Sequence, residues 1–329
     1  MHIFAKNESE MYIPPFTISA KSINLIAEIS AQIERYSIKT GNEESLMLRK
    51  ANRIKTIHSS LAIEGNTLSS DEVSDIINGK NVVAPVKQIQ EVRNAIKTYE
   101  LYPDLDPYSI HDLLRAHGVM MEALSDDAGM FRKRGVGVYE GSNAVHIAPQ
   151  AHMVHGLMND LFEWLKSSED HLLIKSCVFH YEFEFIHPFS DGNGRTGRLW
   201  QSLILGKLHP LFENLPVENM VFANQAAYYE AISKSSAIAD SGPFIEFMLE
   251  EILAALKAHQ GNPVQLQVSD KEQLILDCIM AKPDSSARAI SEKTGISDRQ
   301  VERLIASLKD KGILARNGSR KNGRWIVNP

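Results

Sequence analysis

The chain has 329 residues, 43% of them hydrophobic and 23% charged, with a formal net charge of −6, which is enough for about two or three domains that each bury a core. No apolar run approaches the roughly 18 residues of a membrane span, Glu8 and Glu10 sit where a secretory leader would be hydrophobic, and Cys177 and Cys278 form no CxxC pattern, so the expectation is a cytoplasmic protein with buried reduced thiols and no membrane partner. Residues 270–329 hold twelve Lys/Arg against eight Asp/Glu, a net of +4, which leaves −10 on the first 269 residues; an acidic body with a basic tail points to two different partners.

After Pro14 and Pro15, Ile18 to Ile38 carries apolar residues at helical spacing, and a second helix is expected over Ser45 to Glu64. Gly65 and Asn66 would stop it, and Ser69 with Glu72 reads as the capping box of the next helix. Lys87 to Leu101 and Ile110 to Leu124 repeat the amphipathic pattern, with Pro103 and Pro107 between them. Glycines at 129, 135, 137 and 141 then break it. The alternating stretches Val136 to Tyr139 and Ala144 to Ile147 predict a β-hairpin inside Gly129 to Pro149.

Helices resume at Val154 to Lys166 and Leu172 to Phe185, and a third begins just after Gly192 and Gly194 and runs to about Lys207. Ala226 to Ser236 and Pro243 to His259 complete the body, and Gln260 to Val268 reads as a linker. Gln273 to Met280, Ser286 to Lys293 and Asp298 to Lys311 follow as three short helical patterns, and Gly312 to Arg316 and Arg324 to Val327 as two strands. That order resembles a winged helix-turn-helix. Its last helix would present Arg299, Gln300 and Arg303, and its wing Arg316, Arg320, Lys321 and Arg324, a surface suited to phosphates. Winged helices also dock proteins or dimerise, so DNA, a protein partner and a homodimer all stay open.

Chemistry concentrates in His187-Pro188-Phe189-Ser190-Asp191-Gly192-Asn193-Gly194-Arg195-Thr196-Gly197-Arg198, a loop that feeds a helix N-terminus. Gly192, Asn193 and Gly194 let successive backbone N–H groups face an anion, which the helix dipole favours. Arg195 and Arg198 lie in the first turns, where cations oppose the dipole unless an anion is bound there. Asp191 offers a hard oxygen of the kind that shares Mg²⁺ with phosphates. His187 alone in the loop has a reference pKa that lets it take a proton near neutrality. Each feature by itself is common in turns and solvated helix ends; their coincidence is what carries the reading.

These residues resemble the Fic family, whose signature HPFx(D/E)GNGRxxR is met at every fixed position, and the resemblance spans roughly Lys87 to His259. It implies an all-α fold with a Fic helical core and a short β-hairpin flap, plus the winged tail. The implied division is an N-terminal helical region over 1–86 bearing an inhibitory helix, the catalytic core over 87–259, a linker over 260–269 and the tail over 270–329. The implied activity is protein adenylyltransfer, in which AMP passes from ATP to a Ser, Thr or Tyr hydroxyl of a target protein with Mg²⁺ as cofactor. In that family the histidine, here His187, deprotonates the hydroxyl and the acidic residue, here Asp191, holds the metal. The run Gly192, Asn193, Gly194, Arg195, Thr196, Gly197 and Arg198 would bind the nucleotide, with Arg198 on the γ-phosphate.

The flap of that family corresponds to Val136, Gly137, Val138 and Tyr139, an edge that would hold a target segment by strand pairing. Tyr228 and Tyr229 resemble its adenine-side aromatics, although Ser236 stands near a position where some relatives carry Asn. Ser60 to Gly65 matches the inhibitory motif (S/T)xxxE(G/N), which implies that Glu64 pairs with Arg198 in a resting enzyme. An anion at a helix C-terminus faces the negative end of the dipole, so helix physics alone would prefer a cation there. Two other readings remain: the same site removing AMP, with Glu64 aligning a water, or moving another phosphate-containing group; and a DNA-binding regulator that senses nucleotide without turnover.

Overall fold

The computed structural model describes residues 12–40, 46–140, 143–213, 215, 221–261, 270–310, 314–317 and 324–327. Linker residues 262–269 and the wing-tip residues Arg320 and Lys321 lie outside them. The chain divides into two compact units: residues up to Gln260 except Ser45–Leu48, and Ser45–Leu48 with Gly261–Pro329.

The large unit is helical. α1 (Ala20–Thr40), α2 (Leu46–Ile63), α3 (Ser70–Ile77), α4 (Val86–Glu100) and α5 (Ile110–Met120) precede a two-stranded hairpin, β1 (Gly137–Glu140) and β2 (Asn143–Ile147). α6 (Val154–Ser167), α7 (Leu172–Ile186), α8 (Asn193–Leu208), α9 (Gln225–Ile238) and α10 (Gly242–Gly261) follow. The expected capping box at α3 is present, with Ser69 and Glu72 satisfying each other's backbone N–H. α5 ends at Met120 rather than Leu124, because Met121 leaves the helical region and Ala123 turns to a φ of 59°.

α7 is the axis of this unit. Its sequence is apolar on every side, and twelve of its residues are buried, as befits a helix packed all round. α8 lies close against it at Gly197, where an added Cβ would come within 3.2 Å of Phe183 Cδ1. Phe162, Phe179, Phe183, Trp200 and Phe244 fill the surrounding core. α7 and α8 are joined by the short loop singled out by the sequence, so the best-packed pair of helices holds it at both ends.

β1 and β2 pair antiparallel with Val138 opposite His146, and the ladder shifts between Val138 and Tyr139. Of the four flap residues, Gly137, Val138 and Tyr139 lie on β1 and Val136 precedes it.

The small unit packs α11 (Asp270–Ala281), α12 (Ala287–Thr294) and α13 (Asp298–Asp310) with an antiparallel pair, β3 (Leu314–Asn317) and β4 (Arg324–Val327). Ile275, Ile279, Ile290, Val301, Leu308, Leu314 and Trp325 form its core. Trp325 fixes β4 through its indole N–H, which donates to Ser285 O at 2.9 Å, and its backbone N–H, which donates to Pro283 O at 2.7 Å. Cys177 and Cys278 are buried free thiols in separate units. No helix among the described residues is long and apolar enough to cross a membrane.

Candidate active site

α7 stops at His187, which takes a left-handed backbone, φ 50° and ψ 62°, as C-cap. Such a cap leaves carbonyls without helical partners. Arg132, 2% exposed, satisfies them: Nε donates to His187 O at 2.7 Å and Nη2 to Ile186 O at 3.2 Å. The same guanidinium donates to Pro149 O at 2.6 Å and Arg134 O at 2.9 Å, and its backbone N–H bonds Pro188 O. One buried arginine thus ties the histidine loop to both flanks of the hairpin. Sequence reasoning missed Arg132, which lies 55 residues from His187.

The loop's interior is fixed by Asn193, whose Oδ1 accepts from Phe189 N at 2.9 Å and whose Nδ2 donates to Phe189 O at 2.8 Å. Phe189 stacks on His117 at 3.6 Å and 4°. His117 accepts the Gly129 N–H on Nδ1 at 2.9 Å, so Nε2 carries the proton and donates to Asp191 O at 3.0 Å. Burial pushes His117 down to about 4, which keeps it neutral. His117 was also missed; its one legible signal is a histidine on the buried face of an amphipathic helix.

α8 starts at Asn193, two residues earlier than expected, so Gly194 sits in its first turn. Gly192 is the N-cap at φ +81°, and a Cβ there would also meet Met121 Sδ at 2.7 Å, so both conformation and space require glycine. Thr196 and Gly197, expected among the nucleotide-binding residues, serve packing instead. Thr196 is fully buried with Oγ1 donating to Gly192 O at 2.8 Å, and Gly197 is the contact point with α7.

The two arginines diverge. Arg195 Nη2 donates to Asp191 Oδ1 at 2.9 Å, while its buried Nε has no hydrogen-bond partner among the described residues. Arg198, 3% exposed, reaches the end of α2: Nη2 donates to Ser60 O at 2.9 Å and to Glu64 Oε1 at 2.8 Å, and Nε to Ser60 Oγ at 3.3 Å. Burial works against the Arg198 charge, but Glu64, Tyr228 and Glu184 together outweigh it, leaving the guanidinium above its ordinary range. α2 ends at Ile63, so Glu64 caps it from the following turn, and Arg198 answers both the Glu64 charge and the negative end of the helix dipole. A Cβ on Gly194 would overlap Glu64 Oε1 and approach Arg198 Nη1 to 2.9 Å. The Glu64 carboxylate therefore lies over the first turn of α8, where a helix N-terminus receives an anion.

Asp191 is half exposed, with Oδ1 held by Arg195 and by the Gly192 N–H. Among the described residues no group of three or more His, Cys, Asp or Glu gathers to hold a metal ion. A single carboxylate with an oxygen to spare still fits Mg²⁺, which typically takes one or two carboxylates and fills its octahedron with phosphate oxygens and water.

Of the expected aromatics, Tyr228 is core. It is 2% exposed, its hydroxyl lies 3.0 Å from His180 Nε2, and it packs against Phe244. Tyr229, half exposed and 5.3 Å from the Tyr228 ring, is the one available to a ligand. In the small unit, Arg299 and Arg303 are exposed on α13, whereas Arg316 stacks over Trp325 at 4.6 Å and is only partly exposed.

The Fic/DOC family model matches residues 107–205, and a winged helix-turn-helix DNA-binding model matches 269–315. A solved Fic family protein from Desulfovibrio desulfuricans G20 is 40% identical with a TM-score of 0.75, covering 96% of this chain and 98% of that one. Fic-1 from C. elegans, 21% identical with a TM-score of 0.60 over 74% of this chain and 72% of its own, matches in fold. The protein adenylyltransferase Fic of Nematostella vectensis is 29% identical over 65% of this chain and 50% of its own length. The protein adenylyltransferase fic-1 of Caenorhabditis elegans is 30% identical over 62% and 41%. This chain spans half or less of the length of these two curated relatives.

Proposed function

The chain belongs to the Fic family, and from that we propose that its site transfers AMP from ATP to a hydroxyl side chain of a target protein and is held in check by Glu64. The observation that carries this reading is the pairing of His187 with a helix N-terminus across one rigid loop. His187 Nδ1 lies 3.4 Å from Glu184 O, so the proton belongs on Nδ1 and Nε2 is the nitrogen that would accept one from a hydroxyl. Nε2 takes the target's proton as its oxygen attacks the α-phosphorus. The bond from that phosphorus to the bridging oxygen breaks, and pyrophosphate leaves. The N-terminal turn of α8, Arg195 and Arg198 would hold the phosphates and meet the leaving group's charge. Asp191 would hold Mg²⁺, which neutralises phosphate charge when bound.

The hairpin would position the target segment by pairing with β1, and Arg132 would keep that edge in register with His187. Tyr229 would border the adenine. Glu64 competes with the nucleotide for Arg198 and for the space above Gly194, so ATP would bind without its γ-phosphate partner and with its α-phosphate out of line. The protein incubated with α-labelled ATP, Mg²⁺ and a lysate should label specific proteins or itself, and His187→Ala should abolish labelling while still binding ATP. Labelling unchanged by that substitution would overturn the assignment of the base.

The winged unit favours a second role beside the first. The match to a DNA-binding model and the exposed Arg299 and Arg303 support contact with nucleic acid.

A further inference from the structure

Once His187 accepts the target's proton it is a cation, and the transition state falls in energy only if something answers that charge. Its Nδ1 lies 4.0 Å from Glu184 Oε2, one helical turn back on α7. The mechanism above uses the Glu184 carbonyl and not its carboxylate. That carboxylate is 14% exposed, and its buried Oε1 has no hydrogen-bond partner among the described residues. Oε1 lies 3.9 Å from His180 Nε2, which is already engaged by the Tyr228 hydroxyl. Space for it exists because residue 197 is glycine; a Cβ there would stand 2.9 Å from Oε1. A buried carboxylate oxygen without a donor costs folding free energy that a methionine would not, so packing gives no reason for it.

We infer that Glu184 is a positioning residue for the transfer: its carboxylate orients His187 with the proton on Nδ1 and stabilises the imidazolium formed when Nε2 takes the hydroxyl proton. Glu184 itself gains no proton in the step. The inference rests on the reading of His187 as the base. Five groups face the carboxylate besides His187: His180 on α7, Arg198 on α8, Tyr228 and Tyr229 on α9, and Glu64 after α2. Burial pushes the carboxyl up to about 7, Arg198 draws it down and Glu64 raises it. His180 is kept neutral, pushed down to about 4 by burial. Withdrawal of Glu64 from Arg198 removes a like charge, so the Glu184 carboxylate ionises more readily as the nucleotide site opens.

The test compares the full-length protein with Glu184→Gln and Glu184→Asp by NMR titration of the His187 imidazole and by the pH profile of AMP transfer. A nearby carboxylate raises an imidazole pKa, so Glu184→Gln should lower that of His187 by about one unit and cut kcat about tenfold, leaving ATP affinity unchanged. Wild-type transfer should rise with pH through about 7, and Glu184→Gln should lose the component of that rise due to the carboxyl. Glu184→Asp, with its carboxylate drawn back, should fall between the two, and it carries the same comparison if the glutamine variant does not fold. Identical His187 titrations and pH profiles in wild type and variant, with His187→Ala inactive, would overturn the inference. Transfer that survives in His187→Ala would overturn the reading of the base and this inference with it.

Discussion

A few side chains set the site, and those legible in the sequence were the contiguous ones. His187, Asp191, Gly192, Arg195 and Arg198 fall in twelve consecutive residues, so chemistry and spacing could be read together. Arg132, His117 and Glu184 were not found, because the first two act across more than fifty residues of chain and the third looks like one more acid on a helix. Tyr228 shows the opposite failure: an aromatic pair does not reveal which ring faces inward, and the structure buries Tyr228 against His180. Glu184 also gives a stability prediction. Its carboxyl, at about 7 when folded and about 4.5 when unfolded, binds its proton more tightly in the folded protein, so it destabilises increasingly as pH rises from about 4.5 to 7, by about 3 kcal/mol in full. Glu184→Gln should therefore raise the melting temperature at pH 8 and change it little at pH 4. An equal shift at both pH values would mean that the carboxylate is not the source of the cost. Gly192→Ala should cost about 2–3 kcal/mol in urea denaturation, from a left-handed φ and the contact with Met121.

Among the elements, α7 and α8 were evident as the helical runs on either side of the glycine-rich loop, and the hairpin from its glycines. Their ends were less so, because helix termini depend on partners that periodicity does not show. α2 ends at Ile63 because Arg198 and Gln225 take its last carbonyls. α7 ends at Ile186 because Arg132 donates to the carbonyls that its buried C-terminus leaves without helical partners. Arg132→Met should lower stability by about 3 kcal/mol or more, since four carbonyls lose a charged donor at once. Hydrogen exchange should quicken at the end of α7 and in the hairpin together. Loss confined to one of them would show that the arginine does not join the two.

For the molecule as a whole, the charge split between an acidic body and a basic tail accompanies two compact units. If the winged unit meets DNA, the full chain should bind duplex with an affinity that falls steeply with salt, and Arg303→Ala should reduce the log–log slope by about 0.9. Arg316→Ala should change that slope less, because its guanidinium is already stacked on Trp325. Absence of binding at low salt would favour a protein-docking role. The central claim, a transferase restrained by its own α2, is tested most directly by the initial rate of AMP incorporation in Glu64→Gly at saturating ATP and Mg²⁺. Losing one charge-assisted pair of about 1.5–3 kcal/mol should raise the active population roughly ten- to a hundredfold. Adding Arg198→Ala should abolish that gain, since the same guanidinium would serve the γ-phosphate. Incorporation by Glu64→Gly no faster than wild type would contradict the restraint, and a loss of turnover would point instead to Glu64 aligning a water for AMP removal.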